Sequence, residues 1–262
     1  MTSFELKIIA LVAMTIDHIT NTIGQIGLME LFPSLSLQTS YQISKVLGFI
    51  GRLAFPIFAF LVGEGAAKTK NIWKYFGRLT IFAIISVPIF SFSHVGVPKT
   101  FNSFLSCCRE FSLNNVLFTF AISMAVIIAF RYLKQYSHNK KIFYAVSLCV
   151  FILGCVFAEV EHTDYGAGGV FLVVILYLLK SSRAKIYTII LWSFGFYGLS
   201  MLTGAFKPTQ IIFTLTRALG SSLACIPIAF YNGKRGASCQ WFFYVYYPAH
   251  LLVLSAIAGL LA

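Results

Sequence analysis

Charge is what this sequence has least of. Only 20 basic and 8 acidic residues stand among 262, while 58% of the chain is hydrophobic and its mean hydropathy is +0.83. A soluble domain carries about twice that density of charge, so the scarcity excludes a soluble globular fold and points to a chain that lives in lipid. Glycine loops of the Walker or Rossmann type are missing, and no histidine or cysteine spacing suits a structural zinc, so no metal site is expected. The six cysteines give no disulfide framework: Cys149, Cys155 and Cys225 sit in apolar runs, and the adjacent Cys107 and Cys108 bridge poorly and read as free thiols. A cleavable leader is not expected either, because Asp17 and His18 interrupt the first apolar run and no small-x-small site follows it.

What is present is apolar sequence in runs of spanning length. A transmembrane helix needs about 20 residues. The expected fold is therefore all-α: a polytopic integral membrane helix bundle of about nine transmembrane helices, with room for a tenth, forming one domain over residues 1–262. The spans are expected at 4–28, 43–67, a third ending near 92, then 114–133, 142–160, 165–180, 186–204, 210–231 and 240–261. Pro56 is expected to kink the second, the connection 94–113 is the longest, and Phe206-Lys207-Pro208 turns the chain after the seventh.

The basic residues give the orientation. Connections after the even-numbered spans hold thirteen lysines and arginines, and the alternate connections hold four, Lys45, Lys99, Arg109 and Lys207. By the positive-inside rule the N-terminus is cytoplasmic and the C-terminus outside. That bias accounts for most of the net charge of +12 and leaves no reason to invoke nucleic acid. No internal repeat argues for an inverted-repeat transporter.

Against this background the run from Leu6 to His18 stands out, because it sets Asp17 and His18, one of two aspartates and one of five histidines, near the bilayer midplane. An aspartate there costs about 2.5–3.5 kcal/mol on insertion scales. Such a group is a candidate for function, and the competing reading is a polar knot that locks helices together. Lys7 and His18 lie eleven residues apart, within about 20° of one helix face. Asn21, Thr22 and Gln25 continue a polar stripe beyond them. Neighbours in sequence point about 100° apart, so Asp17 is expected to face a second helix and pair with an arginine.

Arg52 and Arg217, in the second and eighth spans, are the arginines at suitable depth. His250, after Tyr246-Tyr247-Pro248, reaches a depth similar to that of His18. A cavity holding Asp17, His18, Asn21, Arg52 and Arg217 would satisfy these charges. An imidazole so placed can act as a general base toward a hydroxyl or an amine, and a proton relay in a transporter would use the same residues. His250 fits an interhelical hydrogen bond as well as catalysis, and Arg52 fits a snorkelling role as well as a site. Glu64 stands four residues before Lys68, the spacing of an ordinary ion pair. At the inner end, Lys74 and Arg78 at i, i+4 with Tyr75 between them suit a phosphate-rich ligand whose base stacks on the ring, or serve only as topology signals.

Several blocks occur together and in order: Leu6-Lys7 through Met14-Thr15-Ile16-Asp17-His18, Gly51-Arg52-Leu53-Ala54-Phe55-Pro56-Ile57-Phe58, Lys74-Tyr75-Phe76-Gly77-Arg78-Leu79, Asp164-Tyr165-Gly166, Tyr231-Asn232-Gly233-Lys234-Arg235-Gly236, and Phe243-Tyr244 through Tyr247-Pro248-Ala249-His250-Leu251. This set resembles the TraX family, named for acetylation of F-pilin and grouped with the acyltransferase-3-like membrane proteins. In that wider group an arginine, ten residues and a histidine in the first helix mark the active site. Here the matching pair is Lys7 and His18, with lysine in place of arginine. The resemblance implies a bacterial cytoplasmic-membrane protein that takes acetyl-CoA or another acyl-CoA from the cytoplasmic face. The acceptor, a protein or a glycan, would approach from outside, and His18 would be the base with Asp17 as its support. It also implies donor contacts from Arg52, Lys74, Tyr75, Arg78, Asn232, Lys234 and Arg235, and acceptor contacts from Asn21, Asp164, Tyr165, Arg217 and His250.

Three function classes follow. The first is a membrane-embedded acyltransferase. The second is a proton- or ion-coupled transporter that uses Asp17, His18 and Arg52 as its relay. The third is a structural subunit whose polar residues only fasten helices.

Overall fold

The first helix is started by side chains that satisfy each other. Thr2 accepts a hydrogen bond from the Glu5 N–H at 3.3 Å, and the Glu5 carboxylate accepts one from the Thr2 N–H at 2.9 Å. This reciprocal cap supplies two of the partners that a helix start otherwise lacks. The computed structural model describes residues 1–95, 99–202 and 208–261 and, within them, every side chain except those at 24–27, 200–202, 208 and 240. The Phe206-Lys207 turn, the end of the seventh span at Gly204 and the place of Gln25 on the polar stripe lie outside the described residues.

Every regular element among the described residues is a helix. In chain order these are α1 (Ser3–Thr22), α2 (Gly24–Leu31), α3 (Leu37–Gly51), α4 (Ala54–Lys68), α5 (Ile72–His94), α6 (Phe101–Arg109), α7 (Val116–Tyr136), α8 (Lys140–Val160), α9 (Gly166–Leu178), α10 (Ser182–Leu202), α11 (Pro208–Ser222), α12 (Cys225–Ala229) and α13 (Gln240–Leu260). Among the described residues six segments are long and apolar enough to cross a membrane: 37–68, 72–94, 116–136, 140–160, 209–229 and 241–260. The protein is therefore an all-helical membrane protein. α1, of spanning length, stands outside those six; it holds Glu5, Lys7 and Asp17 within 20 residues.

Proline decides where two expected spans divide. Pro56 has no N–H to offer the Arg52 carbonyl and its ring crowds that group. The second span accordingly breaks at Arg52-Leu53, one turn before the proline, into α3 and α4. Pro227 does the same to Leu223, and the chain turns at Leu223-Ala224 between α11 and α12. The first span also divides, at Ile23, between α1 and α2. Pro88 and Pro248 stay inside α5 and α13. The long connection 94–113 contains a helix of its own, α6, started by a reciprocal Thr100–Ser103 cap.

The chain forms two units. The first comprises 1–58, 88–111 and 186–262. In it α1 packs on α3 and α13, and α3 packs on α2 and α11. Leu6, Ala10, Ile57, Ile189, Ala224 and Leu251 are fully buried there. Ser193 donates to Ser221 at 2.9 Å, joining α10 to α11, and Phe55 meets Trp192 with ring centroids 5.4 Å apart.

The second unit comprises 59–87 and 112–185. α7, α8 and α9 pack pairwise around Met124, Ile127, Leu172, Val173 and Leu176. Glu64 pairs with Lys68, as its i, i+4 spacing leads one to expect, and also with the buried Lys185. Arg131 donates to the Ala66 carbonyl and to the Tyr177 hydroxyl.

Candidate functional site

One face of α1 is zipped to α13 over its whole length. Near its start the Lys7 ammonium lies 5.1 Å from the centroid of the Phe243 ring. Two turns on, Thr15 donates to the Leu11 carbonyl at 2.9 Å, which leaves its oxygen to accept from the Tyr246 hydroxyl at 2.8 Å. Next on this face is His18, whose Nδ1 stands 2.7 Å from Nε2 of His250. Lys7 and His18, eleven residues apart, thus both meet the same helix.

The proton positions in this pair follow from one fixed acceptor. His250 Nδ1 lies 2.8 Å from the Tyr246 carbonyl oxygen. A carbonyl can only accept, so His250 donates from Nδ1, and in the neutral ring its Nε2 then carries a lone pair. That lone pair accepts the Nδ1–H of His18. His18, also neutral, is left with its own lone pair on Nε2. The chain Tyr246 carbonyl, His250, His18 therefore fixes both tautomers and leaves one basic nitrogen at its end. His250 is buried and its ring stacks on that of Tyr246 at 5.1 Å between centroids.

Asp17 faces another helix. Its carboxylate pairs with Arg52 and accepts a hydrogen bond from the Asn21 amide at 3.1 Å. Gly51 makes the approach possible: a β-carbon there would stand 2.5 Å from the Asp17 Cβ and 2.9 Å from its Cα. Gly220 brings α11 in beside it, since a β-carbon there would meet the Phe49 carbonyl oxygen at 2.5 Å. From this pinned junction a cavity of about 590 Å³ opens between α1, α3 and α11. Asp17, Asn21, Lys45, Arg52 and Arg217 line it, with Tyr41, Phe49 and Phe213 among its aromatic walls. The structure thus brings Asp17, Asn21, Arg52 and Arg217 together, with His18 and His250 paired on the neighbouring face of α1.

The remaining candidates stand elsewhere. Asn232, Lys234 and Arg235 close over the start of α1. The Ser3 and Phe4 N–H groups donate to the carbonyls of Lys234 and Arg235 at 2.9 and 3.1 Å, and the Asn232 N–H donates to the Met1 carbonyl at 2.8 Å. The Asn232 side chain accepts from the Lys234 N–H, so this loop is built to finish a helix end. Asp17, the partner of Arg52, is about 20 Å further along α1, at 1.5 Å per residue.

In the second unit, Tyr75 lies against Gly65, where a β-carbon would stand 2.9 Å from its ring, and the Arg78 guanidinium is 5.8 Å from the Tyr75 centroid. The Lys74 side chain is exposed. Asp164 and Tyr165 form the turn before α9: Thr119 donates to the Asp164 carbonyl, Tyr165 has φ +65°, and Glu159 accepts from the Ala167 N–H at 2.9 Å.

With this geometry in view, comparison with known proteins is decisive. The family described as TraX protein matches residues 3–258. The chain belongs to the TraX family. It is also similar to the probable fimbrial assembly protein FimC, serogroup H1, of Dichelobacter nodosus, with 28% identity over 258 residues, covering 96% of this chain and 93% of that protein. No solved structure matches. The match includes α1 and α13, so the paired histidines and the Asp17–Arg52 pair lie within the family's extent.

Some residues of the site are not evident from sequence. Tyr41, Lys45 and Gly48 carry no motif, and Thr15 and Tyr246 lie inside motif blocks without a role of their own. A signal for three of them did exist, because Tyr41, Lys45, Gly48 and Arg52 recur at helical spacing along α3.

Proposed function

We propose that this TraX-family protein is a membrane-embedded acyltransferase that moves an acetyl or other acyl group from acyl-CoA to a hydroxyl or amine of an extracytoplasmic acceptor. The observation that carries this reading is the tautomer chain Tyr246 carbonyl, His250, His18, which presents a lone pair on His18 Nε2 inside an apolar bundle. Membership of the TraX family, which is named for pilin acetylation, supports the same class, and the fimbrial name of the relative fits a pilus-linked acceptor. On this reading nine helices span the bacterial cytoplasmic membrane with the N-terminus inside, α1, α9 and α10 joining the six apolar segments.

In the reaction His18 Nε2 takes the proton of the acceptor hydroxyl or amine as its heteroatom attacks the thioester carbonyl. The carbon–sulfur bond then breaks, and the proton passes from His18 to the departing thiolate of CoA. His250 holds the His18 ring and shares the positive charge that develops on it. Lys74, Tyr75 and Arg78 in the second unit and, as a separate assignment, Asn232, Lys234 and Arg235 in the first are proposed as groups that contact the donor. Arg52 holds the Asp17 carboxylate beside the site, and Asn21 and Arg217 lie where the acceptor would enter.

The test is reconstitution in proteoliposomes with radiolabelled acetyl-CoA inside and membrane-surface extract outside. Transfer is expected to fall by at least about a hundredfold in His18→Ala. Undiminished transfer in a folded His18→Ala variant removes His18 from the mechanism, and proton flux without acyl-CoA would favour the transporter class instead.

A further inference from the structure

The cavity beside Asp17 has a charge and a shape that the histidine pair does not use. Lys45, Arg52 and Arg217 face it against one carboxylate, Asp17, a net charge of +2 in about 590 Å³. Two of the cations are held over aromatic rings of its own wall: the Lys45 ammonium 4.2 Å from the Tyr41 centroid and the Arg217 guanidinium 4.2 Å from the Phe213 centroid. An aromatic face orients a cation without neutralising it, and both rings belong to the wall that the cations line. The rest of the lining is divided. Thr20, Asn21, Ser44 and Gln210 supply polar groups, whereas Ile212 and Phe213 are outward-facing apolar side chains, 67% and 49% exposed.

We propose that this cavity binds a phosphate monoester headgroup. A phosphate monoester carries a charge of about −1.5 to −2 at neutral pH, which matches the net charge of the wall. Arginine presents donors in a fork that fits phosphate oxygens. The polar groups of α1 and α3 would meet the headgroup, and the apolar edge at Ile212 and Phe213 would take the body of a lipid. A soluble phosphate ester presents the same headgroup without a tail. The cavity shares Asn21 and Arg217 with the proposed acceptor entrance, but its occupancy needs no donor and no proton transfer at His18.

One position allows the cavity to be filled without touching its charges. A β-carbon at Gly48 would meet nothing within 4 Å, and Gly48 lines the cavity. Gly48→Leu therefore starts its side chain in open space, with no clash at the β-carbon, and extends into the cavity that Gly48 lines. The experiment uses the full chain in phosphatidylcholine nanodiscs without acyl-CoA. Phosphatidic acid doped into the disc is the lipid probe and glycerol 3-phosphate the soluble one; the readouts are the unfolding temperature and direct binding titration. The wild-type protein is expected to show saturable binding of at least one probe, with phosphatidic acid preferred over the diester phosphatidylglycerol.

Gly48→Leu, Lys45→Gln and Arg217→Gln are each expected to weaken binding by roughly ten- to a hundredfold. Lys141→Gln, which removes an exposed charge of α8, is expected to leave it unchanged. Binding of phosphatidic acid alone identifies a lipid headgroup, and binding of glycerol 3-phosphate identifies a soluble ester. Absence of saturable binding, equal binding of monoester and diester, or wild-type affinity in Gly48→Leu together with Lys45→Gln overturns the proposal. Binding without acyl transfer in the reconstituted protein would leave this site standing and sink the acyltransferase reading alone.

Discussion

Gly51 and Asp17 stand so close that a β-carbon on the glycine would lie 2.5 Å from the Cβ of the aspartate. The contact is with the stem and backbone of Asp17, which cannot swing aside, so α3 and α1 meet at a point where no side chain fits. Gly51→Ala is expected to push the helices apart and cost about 1–3 kcal/mol as an overpacked site. Urea unfolding in micelles measures this; unchanged stability would mean that the junction is softer than its geometry.

The Asp17–Arg52 pair is mostly buried, with side chains 16% and 15% exposed. Removing one partner of such a pair leaves a charge without compensation and costs about 3–5 kcal/mol, whereas removing both costs much less. Arg52→Gln is accordingly expected to destabilise more than the double variant Asp17→Asn, Arg52→Gln. A double-mutant cycle that returns no coupling would dissolve the pair as an energetic unit.

His250 can be tested separately from His18. His250→Ala removes the acceptor that holds the Nδ1 proton of His18, so acyl transfer is expected to drop by about a hundredfold, within the range of positioned acid–base groups. Its pH–rate profile should move as well, because His18 then titrates without its neighbour. Tyr246→Phe removes only the hydroxyl that reaches Thr15 and keeps the carbonyl, so its transfer rate should stay within a few-fold of wild type. Equal losses in the two variants would indicate packing rather than tautomer control.

α6 offers a reading that is independent of the site. Cys107 is buried and its burial pushes the thiol pKa above the ordinary value, while the adjacent Cys108 is exposed. Thiolate is the reactive form. A raised pKa means that Cys107 stays protonated through the pH range in which an ordinary thiol ionises, so its alkylation should rise only at more alkaline pH. Mass-spectrometric mapping of iodoacetamide labelling at pH 8 should find Cys108 modified well before Cys107; the opposite order would contradict the helix as placed.

The apolar runs announce the helices, and the ends of α7, α8 and α13 fall near where composition changes. The 100° step between neighbours on a helix is enough to separate Asp17 from His18 and send the former toward an arginine. Other features depend on contacts that no local pattern records. The breaks at Arg52-Leu53 and Leu223-Ala224 sit a turn before their prolines because the lost donor and the ring act on the carbonyl four residues back. α6 begins from a cap of two small polar residues in what reads as a long connection. Lys45 also reads as a connection residue until its helical spacing with Arg52 is noticed. The bond between His18 and His250 joins residues 232 apart, and only the packing of α1 on α13 reveals it.

That bond sets the order in which the protein becomes competent. During synthesis α1 emerges before its partners: the carbonyls that finish its start arrive with residues 234 and 235, and the imidazole that fixes His18 arrives at residue 250. At about 5–20 residues per second, α1 waits through the synthesis of the 232 residues that separate His18 from His250 before the pair can form. A nascent or truncated chain can therefore occupy the membrane without carrying the paired base. Completion of α13 is the ribosome-timed step that brings the two histidines together.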